Sequence, residues 1–586
     1  MRFSARSKVG ILLSLVTILV LISAFAVTTF MGGRGTQAAH STHSVTYHGQ
    51  RVSATKNAMH AVNHAVNTHV ATKVYATPGH LGKHVSANVA AKNAPGVASS
   101  SALLGAHVNE GGILHNFPGL TAEQSGFLEG VLVLPPDMAL CAGHDASIAG
   151  NPKVEFQVIN LAIAEYDKNG NVVKGDLLPF GPESMSAFFA EPGVPFFGGE
   201  LVSDPNCLYD AASDTFFFEA IALDLTIKGN TESFTESHAD LVVYNAATGD
   251  ATEYKFDTSD SLNTGCKPGC LGDQGKLGID NNAVYISMDE FQNNLAIQNG
   301  AEFLAIRKSE LVAQAGTVFA SYFNNISING IPVTSLQPAQ SISSTNTEYL
   351  VNSFPYLDVF QTPNPTSKAL GFWEVLNDED IPNSDVTLVG TVIASELYAF
   401  NVRAISTGNG VVSAAFLNAG DDRMMQCEYI GGNVWCSLDT SVNIAGDPTT
   451  RDGVAWFKIG VHSQTVRKQG YIASPKNYLT YPSINVTTEG TVEIAFSITG
   501  PNLNPSVGYV VRKADESSFG SIHRAFTSLS PSLDGDIRWG DYSRACLDLN
   551  GKDIWAAVEY SEVPDKFEAT VGLNDATRIF DVKGDH

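Results

Sequence analysis

Acidic residues recur along this chain at the head of similar stretches, and a carboxylate repeated in register is the first feature with chemical consequence. The stretches run from Asp204 to Phe218, Asp273 to Ile286, Asp422 to Trp435, Tyr481 to Ile494 and Asp541 to Trp555, with Asp137 in Pro135-Pro136-Asp137 as a degenerate first member. If the heads of successive units face a common axis, Asp137, Asp204, Asp273 and Asp541 set oxygens around one point. A hard cation such as Ca²⁺, with its about six to eight oxygen ligands, takes such an arrangement. The same aspartates suit a second role, accepting hydrogen bonds from backbone amides to fix the turn at a strand entrance. Asp422, Tyr481, Arg538 and Tyr542 complete the candidate ligand-binding set at that end. Calcium is the one cofactor these residue types suggest.

Hydrolysis of a glycosidic bond would need two carboxyls at a defined separation, and a sialidase-type site would add three arginines and a tyrosine nucleophile. Arg403, Arg423, Arg451, Arg512, Arg538 and Arg544 are available, but their spacing shows no triad. No serine nucleophile elbow, P-loop or dinucleotide fingerprint stands in a convincing context. Trp539, Tyr542, Trp555 and Tyr560 would stack on sugar rings if exposed, or fill the space between sheets if buried, the commoner fate of strand aromatics. Asp167-Lys168-Asn169-Gly170-Asn171 lacks the closing carboxylate of an EF-hand loop and reads as a hairpin turn.

The elements that must carry these residues follow from the spacing. Successive heads are 67, 69, 149, 59 and 60 residues apart, and the long third step places a further unit near Asn346, before Thr347-Glu348-Tyr349-Leu350-Val351. Each unit holds a strand, a turn with Asp, Asn or Gly, and a second strand rich in aromatic and apolar residues. A propeller repeats one four-stranded sheet in this way. The expected fold is therefore all-β, a seven-bladed β-propeller over residues 107–586, with six blades as the alternative. A pair of β-sandwiches would show short strands without one recurring head. Phe567 to Phe580 alternates like a strand that would complete a blade begun near the N-terminal side.

Composition agrees: of 586 residues 44% are apolar and only 16% charged, with 52 Gly and 25 Pro for tight turns. No Asp or Glu precedes Glu110, so 26 of the 35 basic residues face all 60 acidic ones beyond it, a balance of −34. Nucleic acid is excluded as a partner on that field, whereas cations, basic surfaces and neutral glycans are not.

Arg2, Arg6 and Lys8 precede an uncharged run, Val9 to Met31, long enough to cross a bilayer as a helix. Residues 1–38 thus read as a signal peptide or an uncleaved anchor, with a small-residue site at Thr36-Gln37-Ala38, and the rest of the chain lies outside the membrane. Residues 39–106 carry eight of the fifteen histidines and few large apolar residues, and read as a disordered stalk. Its His60, His64 and His69 would bind transition metals weakly, or be polar spacer. Seven cysteines in an exported chain suggest disulfides. Cys427 and Cys436 flank a Gly-Gly-Asn turn, Cys266 and Cys270 would close a small loop or begin a zinc site, and Cys141 with Cys207 would join adjacent repeats. That leaves Cys546 as a buried free thiol.

Pro135-Pro136-Asp137, the run Val158 to Gly170, Ser203-Asp204-Pro205, Leu277 to Asp280, Tyr481-Pro482-Ser483 and Arg538 to Tyr542 resemble an uncharacterised family of secreted bacterial propellers with a Pro-Pro-Asp opening. At a wider level these are similar to the sialidase and Asp-box propellers, which implies architecture without chemistry. Met138 to Gly143 departs from the family's Gly-rich stretch, and Ser532-Leu533-Asp534-Gly535 narrowly misses an Asp-box. The expectation is an exported, monomeric binding or scaffold module for extracellular glycan, cell-wall or protein ligands, held at the membrane if its first segment is uncleaved. A sialidase-like hydrolase or polysaccharide lyase is the alternative.

Overall fold

Short alternating runs punctuated by Gly, Asn and Asp turns give antiparallel meanders of four strands, each named here by its first residue. The Met138 sheet holds Met138–His144, Lys153–Ile159, Ala162–Asp167 and Glu183–Ser184. The Glu200 sheet holds Glu200–Asp210, Thr215–Lys228, Thr231–Asn245 and Ala251–Asp257. The Cys270 sheet holds Cys270–Ile279, Ala283–Gln292, Gln298–Arg307 and Thr317–Phe323. Next come the Gln337 sheet (Gln337–Ser341, Glu348–Ser353, Thr366–Leu376, Thr387–Ala399) and the Met424 sheet (Met424–Ile430, Asn433–Val442, Arg451–Gly460, Thr465–Ile472). The Tyr478 sheet holds Tyr478–Val486, Val492–Gly500, Leu503–Arg512 and His523–Phe526. In the Arg544 sheet, Arg544–Leu547, Asp553–Ser561 and Asp575–Lys583 are completed by Ile113–Thr121 from the other end of the chain.

This computed structural model describes residues 44–58, 74–76, 112–130, 132–149, 153–190, 200–228, 231–259, 270–292, 298–354, 366–402, 404–405, 416–533 and 539–584. Among them no helix is long and apolar enough to cross a membrane, and the run Val9 to Met31 lies outside them. His60, His64, His69, Arg403, Arg538 and Cys266 also lie outside.

The first strands neighbour one another in cyclic order, from Met138–His144 through each sheet to Arg544–Leu547 and back to Met138–His144. Apolar cores lie between faces of adjacent sheets. Phe156 packs with Phe218, Phe217 with Leu277, Tyr285 with Trp373, Phe372 with Met424, Trp456 with Ile494, Tyr509 with Phe580, and Trp555 with Leu140 in the clusters concerned. This is a β-propeller arrangement: no sheet has a core of its own, and each is stabilised by two neighbours. Trp539, Tyr542, Trp555 and Tyr560 are all buried, as core residues are.

Four expectations change. The unit expected near Asn346 starts earlier, because Glu348–Ser353 is the second strand of its sheet and Gln337–Ser341 the first. Phe567 to Phe580 is not one strand. Asp565 and Glu568 form a capping box that starts the helix Lys566–Val571, Gly572 ends it at φ 81°, and the strand begins at Asp575. The strand that crosses to the opposite end of the chain comes from the N-terminal side, at Ile113–Thr121. Within the expected stalk, Ser44–His48 pairs with Thr387–Ala399, and Gln50–Ala58 pairs with both Ala251–Asp257 and Thr317–Phe323. Alternation explains this: Val45, Tyr47 and Val52 turn toward the sheets, and Arg51 lies 4.4 Å over the Phe319 ring.

Cys141–Cys207 joins the Met138 and Glu200 sheets, and Cys427–Cys436 joins neighbouring strands of one sheet. Cys270 is disulfide-bonded, and Cys546 is a buried free thiol.

Candidate functional site

The repeated heads mark a break in strand regularity. The first strands shift register between Ser203 and Asn206, Asp273 and Lys276, Met424 and Gln426, and Thr480 and Ser483. Asp204, Gln274 and Tyr481 take positive φ there, at 54°, 59° and 53°. Such bulges re-aim side chains at the end of a strand. Here they send polar groups from several sheets into one buried network.

Asn160 bridges the first two heads: its Nδ2 donates to Asp137 Oδ2 at 2.7 Å, and its Oδ1 accepts from the Asp204 amide at 3.0 Å. Asp204 Oδ2 accepts the Tyr542 hydroxyl at 3.0 Å, across 338 positions of sequence, and Asp204 Oδ1 accepts from Ser203 at 2.8 Å. Arg544 donates to Asn206 Oδ1 and to the Met425 carbonyl, and lies 5.2 Å from the Tyr542 ring centre. Asn206 in turn donates to Glu219 Oε2 at 2.9 Å and to the Gly275 carbonyl at 2.7 Å. Position 275 has no room for a side chain, since a Cβ there would come within 2.2 Å of Glu219 Oε1.

A second arginine arrives from the Met424 sheet. Arg423 makes a bidentate pair with Asp421, with contacts of 2.7 to 3.1 Å, and donates to Gln274 Oε1 at 2.7 Å. Lys276 donates to the Gln274 carbonyl at 2.9 Å and sits 3.8 Å from Asp289. Tyr481 presents its amide to both oxygens of Asp439 at 3.0 Å.

Burial governs the electrostatics. Loss of solvent pushes Glu219 from 4.5 up to about 8; Asp204 adds to this, while the Asn206 hydrogen bond and the charges of Lys276 and Arg544 oppose it. Burial likewise lowers Lys276, assisted by Arg423 and Arg544 and opposed by Asp289 and Asp204. Tyr542 is raised by burial, then by Asp204. Asp422 is raised to about 8 by burial and by Asp421. At neutral pH Glu219 holds its proton among cations, carboxylates and a phenol.

Of the expected residues, Asp137, Asp204 and Tyr542 therefore come together. Asp273 does not take the place of Asp204: its Oδ1 accepts from the Gln274 amide, and Gln274 occupies the bulged position. The shift is one residue, and in a strand one residue reverses the face. Arg451 pairs with Asp447 and lies over Tyr478, and Arg512 lies over Trp435, so neither arginine joins Arg423 and Arg544. Asp167 accepts from the amides of Asn169 and Asn171, as a hairpin turn does.

Sequence reasoning missed Asn160, Asn206, Glu219, Gln274, Lys276 and Asp421. A usable signal existed: Asn206, Lys276, Arg423 and Arg544 each stand one to three residues after a head aspartate.

No family model matches the chain, and no curated protein matches it. Among solved structures, the chain is similar to a protein of unknown function from Dyadobacter fermentans (8% identity, covering 66% of this chain and 95% of that one, TM-score 0.29). It is also similar to the NanB sialidase of Streptococcus pneumoniae (11%, 81% and 71%, 0.32) and an α-L-arabinofuranosidase of Fusarium graminearum (7%, 76% and 93%, 0.30). Likeness at this level carries no argument about activity.

Proposed function

We propose that this chain is an exported seven-bladed β-propeller that binds hydroxyl-rich saccharide, as surface glycan or cell wall, at the end of the axis where the strand bulges converge. Seven blades, rather than six, match the cyclic succession of first strands with the Ile113–Thr121 strand completing the last sheet. The observation that carries the binding reading is the network itself. Guanidinium, ammonium, phenol and amide donors alternate with carboxylate acceptors, contributed by separate sheets. Such a set of groups, buried as the chain stands, matches the alternating donors and acceptors of a polyol rather than one sign of charge. The disulfides are compatible with export. Membership of the Pro-Pro-Asp family belongs to the same reading.

Retention of the chain on a panel of soluble and wall polysaccharides, competed by the free sugar, tests it. Failure to be retained on any of them refutes it. One observation favours a second reading, a hydrolase or lyase: Glu219, pushed to about 8, holds a proton at neutral pH close to Arg544 and Asp204, as a general acid must. Turnover on the same panel, abolished by Glu219→Gln, would establish it. A silent panel would remove it.

A further inference from the structure

A different set of acidic groups lies on the seam where the strand Ile113–Thr121 meets Asp575–Lys583. Glu123 stands in the first turn of the helix Ala122–Glu129, directly after the strand Ile113–Thr121. Asp565 and Glu568 belong to the capping box of the helix Lys566–Val571. One carboxylate oxygen from each of Glu123, Asp565 and Glu568 lies within 4.8 Å of the others. Ca²⁺ binds oxygen at about 2.3–2.6 Å, so two ligands on one ion stand at most about 5 Å apart. The three oxygens meet that limit.

An acidic cluster alone would say little, but Asp575 adds a separate observation. It is the first residue of the strand Asp575–Lys583, is 2% exposed, and neither of its carboxylate oxygens has a hydrogen-bond partner. It lines the same narrow crevice as Glu123 and Glu568, together with Ala122, Leu132, Phe567, Leu573 and Asn574. A buried carboxylate without a partner is costly, and among the described residues that line this crevice none is an arginine or lysine to offset it. A divalent cation would satisfy Asp575 and cancel the repulsion among its neighbours at once.

We infer that Glu123, Asp565 and Glu568, with the buried Asp575 carboxylate beside them, form a calcium site that fastens the helix following the N-terminal closing strand to the helix preceding its partner strand. The ligand is a hard divalent cation because every donor is a carboxylate oxygen and, among the described residues, no histidine or cysteine lines the crevice. This inference stands apart from the axial network and does not depend on what that network binds.

The test uses the full chain as secreted or anchored, stripped with chelator and titrated with CaCl₂ while heat binding and thermal unfolding are followed, with MgCl₂ as a parallel arm. The expected result is one calcium per chain, a melting temperature raised by several degrees, and a weaker response to Mg²⁺. Glu123→Gln, at a partly exposed position that leaves folding intact, should weaken calcium at least tenfold, and Asp575→Asn should do the same. Asp137→Asn, at the axial end, should leave calcium affinity unchanged. Absence of calcium binding at 10-fold above extracellular concentrations would overturn the inference. So would binding that survives Glu123→Gln combined with Asp575→Asn, or that is lost in Asp137→Asn alone.

Discussion

Replacing Glu219 by glutamine isolates the energetic consequence of the axial network. The amide keeps an oxygen to accept from Asn206 Nδ2, now at 2.9 Å, and removes only the ionisation. Glu219 rises from 4.5 unfolded to about 8 folded, chiefly through burial. Below pH 4.5 both states hold the proton and the group has no effect. As pH rises the unfolded chain releases it first, so the folded state binds more protons and stability falls until pH passes about 8. At 1.36 kcal/mol per pH unit the full penalty is about 5 kcal/mol, and the part developed between pH 5 and 7.5 is about 3 kcal/mol. Glu219→Gln removes that dependence. The stability difference between variant and parent, measured by urea unfolding in a pH series, should therefore grow by about 3 kcal/mol in the variant's favour over that interval. Other buried carboxyls such as Asp422 titrate equally in both proteins and cancel. A difference that stays constant within about 1 kcal/mol from pH 5 to 7.5 would show that Glu219 is ionised in the folded protein and refute the reasoning.

Loop closure ranks the disulfides. Cys141–Cys207 spans 66 residues and Cys427–Cys436 spans 9, so replacing each pair by serine should cost about 4 and about 2–3 kcal/mol respectively, in that order by chemical denaturation. Arg544→Ala strips donors from Asn206 and the Met425 carbonyl inside the network and should cost about 3–5 kcal/mol, read as a lowered unfolding midpoint. Phe117→Ala, in the closing strand against Trp555 and Tyr166, should cost about 3–5 kcal/mol and make the segment before Ala122 the first to gain protease sensitivity.

The propeller was legible because its strand-opening bulges need particular residues, and those residues recur. Where the entry to a first strand carries no acid, as at Thr334-Ser335-Leu336 before Gln337, the repeat vanished from view although a positive φ recurs there too, with Ser335 at φ 48°. Matching acid to acid also set Asp273 against Asp204, when the conformation sets Gln274 there. The network was less legible for a different reason. Tyr542 and Asp204 are brought together by ring closure, and no local pattern reports a partner 338 residues away. Ser44–Ala58 escaped notice because its strands add to outer edges, where a few alternating apolar residues suffice and composition looks like spacer.

The strand Ile113–Thr121 finds its partner only at Asp575–Lys583, with Thr121 opposite Ala576. Everything between must leave the ribosome first, which at about 5–20 residues per second takes roughly half a minute to a minute and a half. Throughout that time the early strand has no mate, and each finished sheet shows one apolar face to solvent. Assembly of this protein is therefore a race between completion of the chain and capture of its waiting edge, and a holdase that shields the segment around Phe117 would decide the yield.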